Sequence, residues 1–498
     1  MLLRHSFSRT STPSSWFSRL SPASTMPLRA KVTNPTFGAA SKMSTASTTP
    51  KTSNSQPGDD PDDVLFNSLY GVRLVELNRP NKLNSLNGSM VRKILPRLKE
   101  WEKSELANIV MLSGAGTKAL CAGGDVAALA LQNEKGEKGQ KASTDFFGLE
   151  YKLDHLIATY SKPFISIMDG ITMGGGVGLS IHAPFRIATE RTVFAMPETN
   201  IGFFPDVGGS FFLPRLDGQI GTYLALTSER LTGVQTLYTG IATHYFHSSA
   251  LGNLTARLSE LVFSDYATLQ ERLDLINSTM AEYSTGLPTL EEQPIKLGGS
   301  LRTAIDRCFS HSTIEEIFSA LEKETTHKAW AEKTLKTMSE RSPTSLKVTL
   351  RQMRLGKSWS IAETFKREHQ IAAHFMRHPD FVEGVKARLM WKPPRQAEWQ
   401  PAKLEEVTTE QVDEFFSVPE GEKLLDLESH ADYTSYPHAR YALPSEKDIQ
   451  NLVQQNPGAS GEAKRFTANF GSKEGVREKL AEVLARRTIE TPEGRKWL

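Results

Sequence analysis

Cysteine is nearly missing from this chain of 498 residues: Cys121 and Cys308 are the two present. Two thiols exclude a disulfide framework and argue against a thiolate-ligated metal. No run of eighteen uninterrupted apolar residues occurs, which argues against a transmembrane helix. The twelve histidines form no His-Glu-x-x-His pattern, and His369 and His374 lie five apart on a helix whose other residues explain it. Neither a dinucleotide fingerprint nor a Walker motif is present, which disfavours redox and nucleotide-hydrolysing functions. No resident cofactor or metal is expected.

Acidic residues are also absent from the N-terminus. Residues 1–58 contain seven Lys/Arg and no Asp or Glu, among many Ser and Thr. That is the composition of a mitochondrial transit peptide, and the apolar core of a secretory signal is lacking. Removing the segment takes the formal charge from +2 to −5, so bulk charge gives no argument for nucleic-acid binding.

What is present reads as an α/β chain of several units. A turn-rich acidic linker, Gln56–Asp63, precedes a core over 59–245. Short apolar runs bounded by Gly, Pro or Asn predict buried strands at Val72–Leu77, Ile109–Leu112, Phe164–Met168, Phe185–Ala188 and Val193–Ala195. Between them, Met90, Ile94, Leu98 and Trp101 mark an amphipathic helix over Ser89–Glu102, and helical tendency runs through Phe146–Tyr160. Residues 246–418 are mainly helical, with helices over Thr313–Lys336, Ile361–Met376 and Val382–Met390. A proline- and tryptophan-containing strap follows at 391–402. The stretch 419–498 reads as an appended extension. Its closing helix is expected from Lys473, capped by Ser472 and ending at Arg486-Arg487.

The chemistry concentrates in residues 169–209. A glycine triplet, Gly174-Gly175-Gly176, opens a predicted helix, and Glu198 and Asp206 follow in an apolar, glycine-rich run. Backbone N–H groups at a helix start suit an anionic oxygen, and glycine lets a ligand approach them closely. Carboxylates nearby supply acid/base or nucleophilic chemistry. Tight strand–helix packing would also explain the glycines, an exposed strand end Glu198, and a turn or cap Asp206.

Several motifs together resemble the crotonase (enoyl-CoA hydratase/isomerase) superfamily: Arg79-Pro-Asn-Lys-Leu-Asn-Ser-Leu, Cys121-Ala-Gly-Gly-Asp-Val, Asp169-Gly-Ile-Thr-Met-Gly-Gly-Gly and Met196-Pro-Glu. Phe204-Pro-Asp-Val-Gly-Gly, Gly240-Ile-Ala-Thr-His, His378-Pro-Asp-Phe-Val-Glu-Gly and Trp399-Gln-Pro-Ala-Lys resemble its 3-hydroxyisobutyryl-CoA hydrolase branch. The likeness spans roughly residues 66–417. It implies a crotonase-like spiral of ββα turns with a helical C-terminal region, and a coenzyme A thioester as substrate rather than cofactor. It maps the two oxyanion-hole donors to the N–H groups of Gly124 and Gly175, the catalytic glutamate to Glu198, the branch's aspartate to Asp206 and a substrate-contacting glutamate to Glu150. A solvated helix face would account for Glu150 almost as well. Asp125 is expected to cap or orient the Gly124 loop.

One departure selects a reaction type. Hydratases of this superfamily carry a second glutamate where this chain has Gly178, and glycine where it has Asp206. The exchange implies thioester hydrolysis, in valine catabolism and in the mitochondrial matrix. A second implication belongs to another class. Relatives of this branch in fungal mitochondria are components of the small mitoribosomal subunit. The extension, with nine Lys/Arg against six Asp/Glu over 458–498 and Phe466 and Phe470 among them, is the segment that could dock there. A solvated tail packed on its own protein explains the same residues. Another acyl-CoA hydrolase or isomerase of the superfamily is a third reading.

Overall fold

The computed structural model describes residues 56–418, 423–455, 473–492 and 494–498. Most of the expected leader, Ser472, Phe466 and Phe470 lie outside these.

The described part of the chain up to residue 245 carries ten strands: β1 (Val64–Leu69), β2 (Val72–Leu77), β3 (Ile109–Gly114), β4 (Ala119–Cys121), β5 (Phe164–Met168), β6 (Ile171–Met173), β7 (Phe185–Ala188), β8 (Val193–Ala195), β9 (Leu231–Thr232) and β10 (His244–Tyr245). They form two sheets, ordered β1-β2-β3-β5-β7-β10 and β4-β6-β8-β9. From β3 to β8 the chain alternates between the two sheets, and the neighbours within each are parallel. Parallel neighbours need a connection back over the sheet. Helices supply three of these returns: Gly88–Lys103 before β3, Glu137–Ala158 before β5 and Gly175–Ile181 before β7. The product is a spiral of ββα turns, as expected.

The five predicted strands are all present. β1 was not among the expected elements. It pairs antiparallel with β2 from Val64↔Leu77 to Leu69↔Val72, and it is an edge strand whose Asn67 and Ser68 face solvent, so it lacks the apolar run that marks its neighbours. The first helix begins at Asn87, whose side chain accepts from Met90 N at 2.9 Å, a cap typically worth about 1 kcal/mol. It buries Met90, Ile94, Leu98 and Trp101, the predicted stripe.

Two corrections concern the helical region. Thr313–Lys336 is not one helix but two, Ile314–Glu322 and Lys328–Ser339. Between them the Glu324 carboxylate accepts the N–H groups of Thr326 and His327 at 2.8 and 3.0 Å, which stabilises a turn in place of helical bonds. The closing helix starts at Val476 after Gly475 in the left-handed region, rather than at Lys473.

The extension is not a free appendage. Leu425, Leu427, Tyr433 and Tyr436 pack on the main core. Ile361 N donates to Tyr433 O at 2.9 Å, and Tyr436 Oη donates to Ala183 O at 2.7 Å. The helices Glu446–Gln455 and Val476–Arg487 dock through a buried ion network with the helix Gly299–Phe309. A last hairpin, β11 (Thr488–Thr491) with β12 (Gly494–Trp497), closes the chain. No helix among the described residues is long and apolar enough to cross a membrane.

Candidate active site

Two glycine loops meet where the sheets' strands end. The first follows β4. Gly123 has φ 105°, and Leu86 N donates to Gly123 O while Asp125 N donates to Leu86 O, both at 2.8 Å. This ladder leaves Gly124 between two bonded neighbours. The second loop follows β6, where Gly174, at φ 45° and ψ −122°, turns the chain into the helix Gly175–Ile181. Gly175 is the first residue of that helix, so its N–H has no acceptor within it. A Cβ on Gly175 would stand 3.5 Å from Gly124 N and would collide with Glu150 Oε1. The structure thus brings the two predicted N–H donors and Glu150 to one point, and glycine at 175 leaves the Glu150 carboxyl its place there.

Glu198 opens a short 3-10 turn after β8, and its Oε1 lies 3.1 Å from where a Cβ of Gly174 would be. It is 5% exposed, not a strand-end carboxylate in solvent. Asp206 is 4% exposed. Its main-chain carbonyl receives Gly209 N at 2.7 Å, but its carboxylate is used elsewhere: Tyr151 Oη donates to Oδ2 at 2.7 Å. Glu150 lies on the same helix as Tyr151 and is 2% exposed, so the solvated-face reading fails. Asp125 makes no side-chain cap. It pairs with Arg79 at 3.0 Å and Lys82 at 3.1 Å, tying the Gly124 loop to the loop after β2.

The structure adds four residues that the motifs did not reveal. Tyr151 is the first. Asp154, one turn beyond Glu150, is fully buried, and neither carboxylate oxygen has a hydrogen-bond partner. A Cβ at Gly178 would stand 2.6 Å from Asp154 Oδ2 and 2.7 Å from Val207 Cβ. The position where hydratases carry their second glutamate has no room for a side chain here. Glu368, from the helix Ile361–Arg377, accepts Gly208 N at 2.7 Å and Ser210 N at 2.8 Å. It therefore fixes the turn that carries Asp206. Gln352 braces the same turn by donating to Pro205 O at 2.6 Å.

Five carboxyls are thus enclosed together, acted on by burial, by one another and by local hydrogen bonds; no lysine or arginine of the described residues is among them. Burial first, then the Asp206 charge, pushes Glu150 and Glu198 well above the usual carboxylate range. Burial and the charges of Glu150, Asp206 and Glu368 do the same to Asp154. Burial raises Asp206 to about 7 against the opposing hydrogen bond from Tyr151, and raises Glu368 to about 8 against its own hydrogen bonds. Like charges in low dielectric cannot all ionise, so the cluster holds several protons at neutral pH. Two N–H donors for an oxyanion with an acid–base pair beside them can polarise a carbonyl, add an oxygen nucleophile and protonate a leaving group.

Fold and site define a class. The chain belongs to the enoyl-CoA hydratase/isomerase family, whose model matches residues 72–416. Within that class it is 54% identical to the small ribosomal subunit protein mS47 of Neurospora crassa, over 94% of this chain and 92% of that one. It is 43% identical to the mitochondrial 3-hydroxyisobutyryl-CoA hydrolase of Gallus gallus, over 73% of this chain and 91% of that one. A solved carnitinyl-CoA dehydratase from Mycobacterium thermoresistibile is 34% identical, with a TM-score of 0.64 over 74% of this chain and all of that one.

Proposed function

We propose that this protein hydrolyses the thioester of 3-hydroxyisobutyryl-CoA to 3-hydroxyisobutyrate and coenzyme A, in valine catabolism in the mitochondrial matrix. The observation that carries the reading is the Glu198/Asp206 carboxyl pair beside the Gly124 and Gly175 N–H groups, with no space for a side chain at 178. Adding water across a double bond puts oxygen on one carbon and a proton on the next, the work hydratases give to a second carboxyl at this position; hydrolysis puts oxygen on the carbonyl carbon and the proton on sulfur. The likeness to the Gallus gallus hydrolase supports the choice of acyl group.

In this reading the thioester oxygen is held by Gly124 and Gly175 N–H, donors of a kind typically worth about 2.7–4 kcal/mol each. Glu198, once ionised, takes a proton from the attacking water, or attacks the carbonyl carbon itself to form a mixed anhydride that water then opens at the Glu198 carboxyl carbon. The C–S bond breaks, and Asp206 returns a proton to the thiolate, its own protonation set by Tyr151. Glu150 lies against Gly175, where it meets the acyl group. Free coenzyme A released from 3-hydroxyisobutyryl-CoA by the purified protein tests the reading. Rapid release that Glu198→Gln abolishes supports it; a folded protein that ignores this and related thioesters sinks it. Single-turnover hydrolysis in ¹⁸O-water separates the two routes, because only attack by Glu198 places label in its side chain.

A second role is favoured by one observation. The match to mS47 covers 94% of this chain and so takes in most of the extension, whereas the Gallus gallus hydrolase covers 73%. We propose that the extension also attaches the protein to the small mitoribosomal subunit. Co-sedimentation with that subunit, lost on deleting residues after 418, tests this.

A further inference from the structure

A second cavity lies far along the chain from the carboxyl cluster. It has a volume of about 270 Å³, and its walls come from two sources. Tyr245 and Phe246, with Met280 from the helix Leu269–Glu282, belong to the body of the protein. Arg440 and Lys473 belong to the extension. Neither part forms the cavity alone. Ser284 and Arg440 on its rim are exposed, so it can be entered from solvent.

The group of interest is Lys473. Its Nζ donates to Tyr441 O at 2.6 Å and lies 3.3 Å from His244 Nε2. The tautomer of His244 follows from its other nitrogen. Nδ1 is 3.0 Å from Thr243 Oγ1, and that hydroxyl spends its single proton on Arg186 O at 3.1 Å. Nδ1 is therefore the donor, and Nε2 presents a lone pair to the amine. Two acceptors match the two protons of a neutral amine and leave its lone pair unused. The charged and titratable groups around it point the same way. Burial and the Arg186 charge bring Lys473 down to about 7. Burial and Lys473 itself hold His244 well below the usual imidazole range, so it stays neutral. Arg440 and Glu474 line the cavity, and Arg440 faces Asp274 at 3.5 Å.

We propose that this cavity is a covalent acyl-acceptor site, in which the Lys473 amine is acylated by short acyl-CoA thioesters. The amine nitrogen bonds to the acyl carbon, the C–S bond breaks, and coenzyme A leaves as the thiol. Its proton comes from Nζ by way of His244 Nε2. A cavity of this size accepts a short acyl chain but not the nucleotide, which stays outside near Arg440. Acylation removes a donor that ties the extension to His244 of β10, so the modification reports acyl-CoA supply to the extension. This inference stands apart from the hydrolase reading.

The test uses the full chain, wild type and Glu198→Gln, incubated with acetyl-CoA, with acyl occupancy of each lysine read by peptide mass spectrometry. Lys473 is expected to react at least about tenfold faster than Lys141 and Lys328, which are 74% and 75% exposed. Its rate should level off above a midpoint near pH 7. His244→Ala, with folding checked by its unchanged unfolding midpoint, should slow Lys473 about fivefold and leave Lys141 unaffected. A Lys473 rate equal to that of the surface lysines, or one that follows their pH dependence, overturns the proposal. Acylation of Lys473 in Glu198→Gln, where thioester hydrolysis is lost, separates this site from the first.

Discussion

Two clusters of buried charge sit in this molecule, and they are built on opposite principles. Where the extension docks on the helix Gly299–Phe309, the buried charges are paired. Arg302, 1% exposed, bonds Asp306 at 2.9 Å and Glu446 at 3.2 Å. Arg486 bonds Glu446 and Glu482, and Lys479 bonds Asp217 at 2.7 Å. Beside Gly124 and Gly175, five carboxyls are buried with no cation among them. Glu150 and Glu198 each keep an oxygen without a partner, and Asp154 keeps two. Paired buried charge fixes one geometry and is costly only when broken. Unpaired buried acid costs stability in the resting protein and keeps protons available. The first arrangement holds a segment in place; the second is ready for chemistry.

The sharpest way to break the comparison is to remove one member of each cluster. Glu198→Gln should lower thioester hydrolysis by at least about 10²–10⁴-fold, the usual contribution of a positioned acid–base group, while leaving stability at pH 7 unchanged or higher, since a buried ionisable group disappears. A rate within threefold of wild type would remove Glu198 from the mechanism. Glu446→Ala should do the reverse. It strands Arg302 and Arg486 with one fewer partner, and a broken buried pair costs about 3–5 kcal/mol. The lower end applies because Asp306 and Glu482 remain. Denaturant unfolding should show that loss, with kcat at low temperature unaltered. If Glu446→Ala instead abolishes hydrolysis in folded protein, the two clusters are coupled and the division fails.

Tyr151→Phe sharpens the comparison from within the acid cluster. The hydrogen bond from Tyr151 is what opposes burial at Asp206. Without it Asp206 should titrate above about 7, moving the pH–rate profile for hydrolysis toward alkali. Hydrogen bonds to charged groups contribute roughly 1.5–3 kcal/mol, so the alkaline limb, where the proton donor Asp206 ionises, should move up by about 1–2 pH units while the protonation of Asp206 at pH 7 is kept. An unshifted profile would mean that the Tyr151 bond does not set the protonation of Asp206.

Legibility in the sequence followed how local the signal was. The strand at Ile109 starts as a continuous apolar run, and those at Val72 and Phe164 are apolar runs interrupted by Arg73, Glu76 and Ser166, so all three could be read directly. β1 could not, because Asn67 and Ser68 face solvent and its pairing with β2 is a tertiary fact. Glu198, Asp206 and the glycine pair stood out through short motifs, and the structure brings them together. Tyr151 and Asp154 were within reach: with Glu150 they sit on a helix face that also buries Phe147, Leu153 and Ile157, and acids on such a face are a signal in themselves. Glu368 was not. It reaches the Asp206 turn from 158 and 160 residues away, and no spacing rule connects them. The extension read as an appendage because its polar, turn-rich sequence hides side chains such as Tyr433 and Tyr436, which bury themselves only against another surface.

Asp154→Asn makes the finest distinction, because it changes no hydrogen bond that the structure contains. The folded-state pKa of Asp154 is raised well above its ordinary value, while in the unfolded chain it titrates near 3.9. As pH climbs past about 4, the unfolded state gives up this proton and the folded state keeps it. Stability therefore falls with rising pH until the folded group also ionises. One such proton corresponds to a slope of about 1.4 kcal/mol per pH unit, distributed over Glu150 and Asp154 to the extent that they titrate together. Asparagine removes the group from both states, so unfolding free energies between about pH 4 and pH 8 should converge with wild type at the acid end and exceed it at the alkaline end. The same measurement on Arg302→Met in the paired cluster should show no such divergence, since each carboxylate that Arg302 leaves keeps a cationic partner in Arg486 or Arg487. A wild-type stability that is flat across this range would show that water or a counter-charge reaches Asp154, and the contrast between the two clusters would collapse to one of degree.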